Sequence, residues 1–217
     1  MAKIILYTYA RSSAAYRVRI GLALKGLAYE SRFVHLLKEG GENYRPEYLA
    51  LNPQGMIPLL LHGDNTLAQS LSILEYLEET FDGQALLPST PADRAWVRAI
   101  AQMVACDIHP INNLRILAYI KQHYTHTDAM PLDWYHHWLA EGFAAIESLL
   151  AKRGTPSTFC SGEAPTLAEC CLIPQIYNAY RFTLDMKPYP ILEELYRAAV
   201  KLPAFMLAAP EQQEDFE

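Results

Sequence analysis

The stretch Ile4-Ile5-Leu6-Tyr7-Thr8-Tyr9-Ala10-Arg11-Ser12-Ser13-Ala14-Ala15-Tyr16-Arg17-Val18-Arg19-Ile20-Gly21-Leu22 decides how this chain is read. An apolar run of strand type gives way to a short polar turn, and two serines then stand where a helix begins. The first turn of a helix carries backbone N–H groups without intrahelical partners and the positive end of the macrodipole. Such an end seats an anion, and serine hydroxyls placed there can donate hydrogen bonds to it.

Working outward, Tyr29 to His35 reads as a second strand, and a loop with Lys38-Glu39-Gly40-Gly41 precedes a short helix near Pro46 to Ala50. Pro58 to His62 and Thr66-Leu67 read as a hairpin turning at Gly63-Asp64-Asn65. A helix follows from Ser70 to about Thr80, its stripe marked by Leu71, Leu74 and Leu77. The order βαβ–α–ββα predicts a four-stranded mixed sheet flanked by helices over residues 1–82. Residues 83–91, ending in Pro88-Ser89-Thr90-Pro91, read as a linker. Residues 92–217 read as all-helical: Ala92 to about His123 with a break at Pro110, then Leu132 to Ala151. Thr166 and Glu169 have capping-box spacing ahead of a helix toward Tyr180 that Pro174 should kink. Short helices near Ile191 to Val200 and Pro203 to Ala208 close this part.

The 217 residues are 51 % hydrophobic and 19 % charged, the profile of an ordinary globular protein. A net charge of −6 argues against a nucleic-acid surface, and no apolar run is long enough to span a bilayer. The chain passes from Met-Ala-Lys into a strand without a signal-type apolar region, so a cytoplasmic location is expected. Cys106, Cys160, Cys170 and Cys171 lack zinc-ligand spacing and read as reduced thiols. His136-His137 and His123-Tyr124-Thr125-His126 form no persuasive metal constellation, so no metal is expected.

Two further phrases carry chemistry. In Asn52-Pro53-Gln54-Gly55-Met56-Ile57-Pro58, a cis Ile57–Pro58 bond would present the Ile57 backbone to an extended peptide ligand, by a form of strand addition. A trans proline ending a loop is the economical reading of that pair alone, since about one X–Pro bond in twenty is cis. In Gln69-Ser70, simple helix capping by Ser70 stands ahead of a role in binding a ligand carboxylate. Arginines such as Arg17 and Arg19 read by default as solvated or salt-bridged charges, and His109 as a packed or surface residue.

Taken together, Arg11 to Arg19, Asn52 to Pro58, Gln69-Ser70-Leu71-Ser72-Ile73-Leu74-Glu75-Tyr76-Leu77 and Cys106-Asp107-Ile108-His109-Pro110-Ile111-Asn112-Asn113-Leu114-Arg115 resemble the zeta class of glutathione transferases. The chain is similar to bacterial maleylacetoacetate and maleylpyruvate isomerases over essentially its whole length. The resemblance implies a thioredoxin-like first domain, a helical-bundle second domain, and a homodimer with one active site per subunit. It also implies glutathione-dependent cis–trans isomerisation of a maleyl-substituted keto acid, as in tyrosine breakdown. Maleylpyruvate, or a transferase reaction on small halo-acids, are the alternative chemistries, and a non-catalytic binding module is a third class.

Under this resemblance a free thiol, with a pKa of about 8.5, is ionised by hydrogen bonding to its charged form. Ser12 is the expected donor to the glutathione sulfur, assisted by Ser13. Arg11 and Arg181 are expected to bind the substrate carboxylates, guanidinium to carboxylate. Gln69 and Ser70 would take the γ-glutamyl end, Ile57 and Pro58 the cysteinyl backbone, and Asn43 the glycyl end. Arg17, His109, Asn113 and Arg115 are implied glutathione contacts. One departure stands out: where the family commonly reads Ser-Ser-Cys, this chain has Ala14.

Overall fold

The computed structural model describes residues 2–124, 130–154 and 157–217. The apolar run forms β1 (Ile4–Thr8), the Ser-Ser turn leads into α1 (Ser13–Leu24), and the chain returns through β2 (Glu30–Phe33). After two 3₁₀ turns come α2 (Pro46–Leu51), β3 (Leu59–His62), β4 (Asn65–Ala68) and α3 (Ser70–Thr80). The strand order is β2-β1-β3-β4. β1 runs parallel to β2 with Leu6 opposite Ser31, and antiparallel to β3 with Leu6 opposite Leu60. β3 and β4 pair antiparallel as the expected hairpin.

Side chains alternate across a sheet with a period of two, so each central strand feeds two cores. Ile4, Leu6 and Leu60 pack with Val18, Leu22, Ile73 and Leu77 of α1 and α3. On the other face Tyr7 and Leu59 pack with Tyr9, Val34, Tyr48 and Ile57. The helices on the first face approach closely: a Cβ on Gly21 would lie 2.3 Å from Leu74 Cδ2.

Two compact units result: residues up to Leu86 together with Val200–Glu217, and Leu87–Ala199. Val200–Glu217, inside the expected all-helical block over 92–217, groups with the first unit. α4 (Pro91–Gln102), α5 (Leu114–Tyr124), α6 (Met130–Arg153), α7 (Leu167–Arg181) and α8 (Pro190–Ala199) belong to the second unit, whereas α9 (Pro203–Ala208) packs on α1. The physical reason is the buried Arg19, whose Nε donates to the Ala208 carbonyl at 2.9 Å.

In the second unit, the helix expected from Ala92 to His123 is broken before Pro110 as well as at it. Met103–Ile108 is π-helical, with His109 N–H donating to Val104 O five residues back at 2.9 Å, and Pro110–Asn112 is a 3₁₀ turn. The capping box is present. Thr166 N–H donates to Glu169 Oε2 at 2.6 Å, Ala168 N–H donates to Thr166 Oγ1 at 3.2 Å, and Cys160 N–H donates to Glu169 Oε1 at 2.7 Å. α7 is continuous through Pro174, and it is buried from Leu167 to Ile176. Among the described residues no helix is long and apolar enough to cross a membrane.

Candidate active site

Ser12 is the N-cap of α1, extended at φ −79° and ψ 112°, and its Oγ accepts from Ala15 N–H at 3.2 Å. That bond uses an acceptor lone pair and leaves the hydroxyl proton available for donation. Ser13, buried, is the first helical residue. No acidic side chain stands in the first turn of α1 itself to offset its positive dipole end. The half-buried Ser12 thus combines a hydroxyl donor with a helix N-terminus, which is the chemistry of an anion seat.

The second wall is the segment before β3. The Ile57–Pro58 bond is cis, correcting the trans reading of the pair in isolation. The loop ahead of it is held from behind by side-chain donors. Asn43 Nδ2 donates to Gly55 O at 2.8 Å, Tyr48 Oη to Met56 O at 2.6 Å, and Asn52 Nδ2 to Met56 O at 2.7 Å. Burial pushes the Tyr48 phenol up to about 12, so it remains a donor at any ordinary pH. Ile57 N–H and C=O make no hydrogen bond among the described residues, which leaves an edge for a peptide-like ligand. Asn43 is buried, and its amide nitrogen is committed to this loop.

The third wall is the start of α3. Ser70 is not its N-cap. Gln69 holds that position at φ 70° with no side-chain cap, and Ser70 is the first helical residue. The Ser70 hydroxyl accepts from Arg17 Nη1 at 3.2 Å, and both residues are buried. The exposed Gln69 side chain donates to Gln54 Oε1 at 2.8 Å. α3 also lacks an acidic residue in its first turn. Arg17 and Arg19 are therefore not surface charges. α1 is buried on nearly every side from Ala15 to Leu22, and the two guanidinium groups are buried with it.

Arg11 is exposed, with its guanidinium 5.3 Å from the centroid of the Phe216 ring. Nearby, Asp215 Oδ2 accepts from Ala10 N–H at 3.0 Å, and Glu217 pairs with Lys38. Sequence reasoning missed this strap of residues 208–217, and no local motif announces it. Gln54 and the Tyr48–Asn52 brace were missed too. The one usable signal was an arginine, Arg19, set inside the apolar run Val18 to Leu22.

In the second unit, His109 is half-buried and ends the π-helical segment. Asn113 caps α5, its Oδ1 accepting from Arg115 N–H at 3.2 Å, and the Arg115 side chain is exposed. Arg181 is exposed at the end of α7, its guanidinium 5.1 Å from the Phe182 ring centroid. Arg181 lines a cavity of about 580 Å³ with Tyr177, Tyr180 and Tyr196. Within the first unit the structure gathers Arg11, Ser12 and Ser13 at one helix start and joins Arg17 to Ser70. His109, Asn113 and Arg115 lie on either side of the 3₁₀ turn Pro110–Asn112, and Asn113 is joined to Arg115 through its N–H.

Cys160, Cys170 and Cys171 are buried, and burial pushes the Cys160 and Cys170 thiols well up, away from thiolate character. Among the described residues no cluster of His, Cys, Asp or Glu could hold a metal, and Thr125 and His126 lie outside those residues.

Comparison with known proteins gives this geometry its class. Residues 6–85 match the family described as Glutathione S-transferase, N-terminal domain. A probable maleylacetoacetate isomerase of Vibrio cholerae is 49 % identical over 215 residues, 99 % of each chain. A holo structure of maleyl pyruvate isomerase, a bacterial zeta-class glutathione S-transferase, superposes with a TM-score of 0.95 at 43 % identity, covering 98 % of this chain and 100 % of the other. The maleylacetoacetate isomerase of Methylobacterium extorquens, crystallised with malonate and glutathione, gives 0.93 at 37 % identity, covering 98 % and 99 %. The fold is thus that of the zeta-class glutathione transferases. The chain belongs to their maleylacetoacetate and maleylpyruvate isomerase family.

Proposed function

We propose that this chain is a glutathione-dependent isomerase that converts maleylacetoacetate to fumarylacetoacetate, acting as a homodimer in the cytoplasm. The observation that carries the reading is the N-terminus of α1. Its first turn carries no acidic side chain, and Ser12 keeps a hydroxyl proton free to donate to a sulfur anion. The residues present fit glutathione. Ile57 offers its backbone to the cysteinyl unit, Gln69 and Ser70 stand at the α3 N-terminus for the γ-glutamyl carboxylate, and Arg17 backs Ser70. Bound glutathione supplies a nucleophilic sulfur that adds reversibly to the alkene, so that the carbon–carbon bond can rotate before the sulfur leaves.

The protein's own part is electrostatic and positional. Ser12, with Ser13 and the first-turn amides, holds negative charge on the sulfur. Arg11 and Arg181 bind the substrate's carboxylates and stabilise charge developing on its conjugated carbonyl. A relative with bound malonate and glutathione supports recognition of a small dicarboxylate. His109, Asn113 and Arg115 are assigned to glutathione contacts, and Asn43 to the glycyl end through the loop it braces. A cytoplasmic setting suits a reaction that needs reduced glutathione. The second reading, maleylpyruvate as substrate, is favoured by the likeness to the maleyl pyruvate isomerase structure and uses the same residues.

The test follows the near-ultraviolet absorbance of each maleyl keto acid with substoichiometric glutathione. Many turnovers per glutathione molecule are expected. Consumption of glutathione in step with substrate would overturn the isomerase reading in favour of a transferase.

A further inference from the structure

Arg19 lies two helical turns beyond Ser12 and is fully buried, yet its hydrogen-bond partners are all neutral. Nε donates to Ala208 O at 2.9 Å and Nη1 to Thr8 Oγ1 at 3.0 Å. Nη1 also donates to Tyr9 O at 3.2 Å, and Nη2 to Ala10 O at 3.0 Å. The guanidinium carbon lies 5.3 Å from the Tyr16 ring centroid. Burial lowers the pKa of the group to about 10, which still leaves it charged at neutrality.

This cation sits under the turn that delivers the catalytic serine. The Tyr9 carbonyl that accepts from Arg19 also accepts from Ser12 N–H at 3.0 Å, so one oxygen fixes both groups. The Ala10 peptides are held on both sides: the carbonyl by Arg19, the N–H by Asp215 Oδ2 at 3.0 Å. In a trans peptide the N–H points opposite the C=O. With the Ala10 carbonyl turned onto Arg19, the Arg11 N–H points away from it, and it makes no hydrogen bond among the described residues. The negative ends of these dipoles thus face the buried cation, and their positive ends face the other way.

We propose that Arg19 is a positioning residue for the thiolate site. It turns the carbonyls of Tyr9 and Ala10 inward, fixes Ser12 through Tyr9, and sets beneath the turn a positive charge that no carboxylate hydrogen-bonds directly, although Asp215, Glu211, Tyr16 and Tyr29 face it. The inference rests on the proposed seat of the glutathione sulfur at Ser12. A mutation at Arg19 therefore changes how strongly the site holds an anion, beyond any effect on folding.

The experiment titrates the thiolate absorbance of the enzyme–glutathione complex against pH for the wild type, Arg19→Lys and Arg19→Met, with melting curves and glutathione affinity measured alongside. Arg19→Met is expected to raise the pKa of the bound thiol by about one unit, with about tenfold less thiolate near neutrality. Turnover falls in the same window and recovers above the raised pKa. Arg19→Lys keeps a charge but loses the planar fork, so a smaller rise in the same direction is expected. If Arg19→Met does not fold, the shift in Arg19→Lys decides the matter alone. A folded variant with lowered melting temperature but the wild-type thiol pKa reduces Arg19 to a purely structural role and overturns the proposal. A wild-type complex whose thiol titrates like free glutathione refutes the Ser12 reading itself, and the inference falls with it.

Discussion

Replacing Ser12 separates two jobs that one oxygen performs. As N-cap it accepts from Ala15 N–H at 3.2 Å, and loss of such a cap costs about 1 kcal/mol of stability. As the proposed donor to a thiolate it would make a hydrogen bond to a charged group, worth about 1.5–3 kcal/mol. At about 1.4 kcal/mol per pKa unit, that bond lowers the thiol pKa by roughly one to two units from about 8.5. Ser12→Ala loses both functions. Below the wild-type pKa its turnover is expected to fall about 10- to 100-fold, and above about pH 9 the two enzymes converge because both thiols are ionised. Ser12→Asp keeps the cap, since aspartate is a good N-cap, but it offers no proton and places a like charge beside the sulfur. Stability should therefore rank Ser12→Asp above Ser12→Ala, while activity at neutral pH ranks them in the opposite order. The assays are urea denaturation and steady-state isomerisation over a range of pH. Equal fractional loss of activity in Ser12→Ala at every pH, or an aspartate variant more active than the alanine one, refutes the donor role.

Arg181→Ala should raise KM for the diacid about tenfold while leaving glutathione affinity, measured by calorimetry, nearly unchanged; a parallel fall in both would make Arg181 structural. Glu169→Ala strips acceptors from the N–H groups of Cys160 and Thr166 and from the Thr166 hydroxyl, all buried. A loss of about 3 kcal/mol or more is expected in denaturant titrations, and Glu169→Gln, which keeps one acceptor oxygen, should lose less. Phe216→Ala removes the ring under Arg11, an exposed cation–π contact of about 0.5–1 kcal/mol. KM for the diacid should shift a few-fold, with the thiol pKa unmoved.

The first sheet was legible because its signals are local. Short apolar runs mark β1 and β3, and the Gly63-Asp64 turn sets the hairpin, with Asn65 already in β4. Thr166 and Glu169 state their own helix start three residues apart in the chain. The Ser12 cap was legible for the same reason, since Ser12 caps the helix that its own sequence begins. What escaped reading depends on distant partners. The boundary at Val200 is set by Arg19 reaching Ala208, a pairing across 189 positions, and Ala10 to Asp215 spans 205. The Ile57–Pro58 geometry and the Gln69 backbone are fixed by the loop and helix they join, and neither dipeptide specifies them alone. Burial of Arg17 follows from covering α1 on all sides, which no periodicity within α1 reveals.

The departure at Ala14 narrows the chemistry further. With no cysteine in the first turn of α1, and with burial pushing the Cys160 and Cys170 thiols up, the sulfur proposed to act at Ser12 is glutathione's. An isomerase asks that sulfur both to attack and to leave. Thiol nucleophilicity declines as pKa falls, and the best attacking thiol has a pKa near ambient pH. A hydroxyl donor and a helix end, worth about 1.5–3 and 0.3–1 kcal/mol, bring a thiol into that range without overshooting it. A guanidinium in direct contact would favour the anion further and slow its attack. Keeping Arg19 behind the Tyr9 and Ala10 carbonyls supplies positive potential at one remove, which suits a reversible addition better than tight ion pairing does.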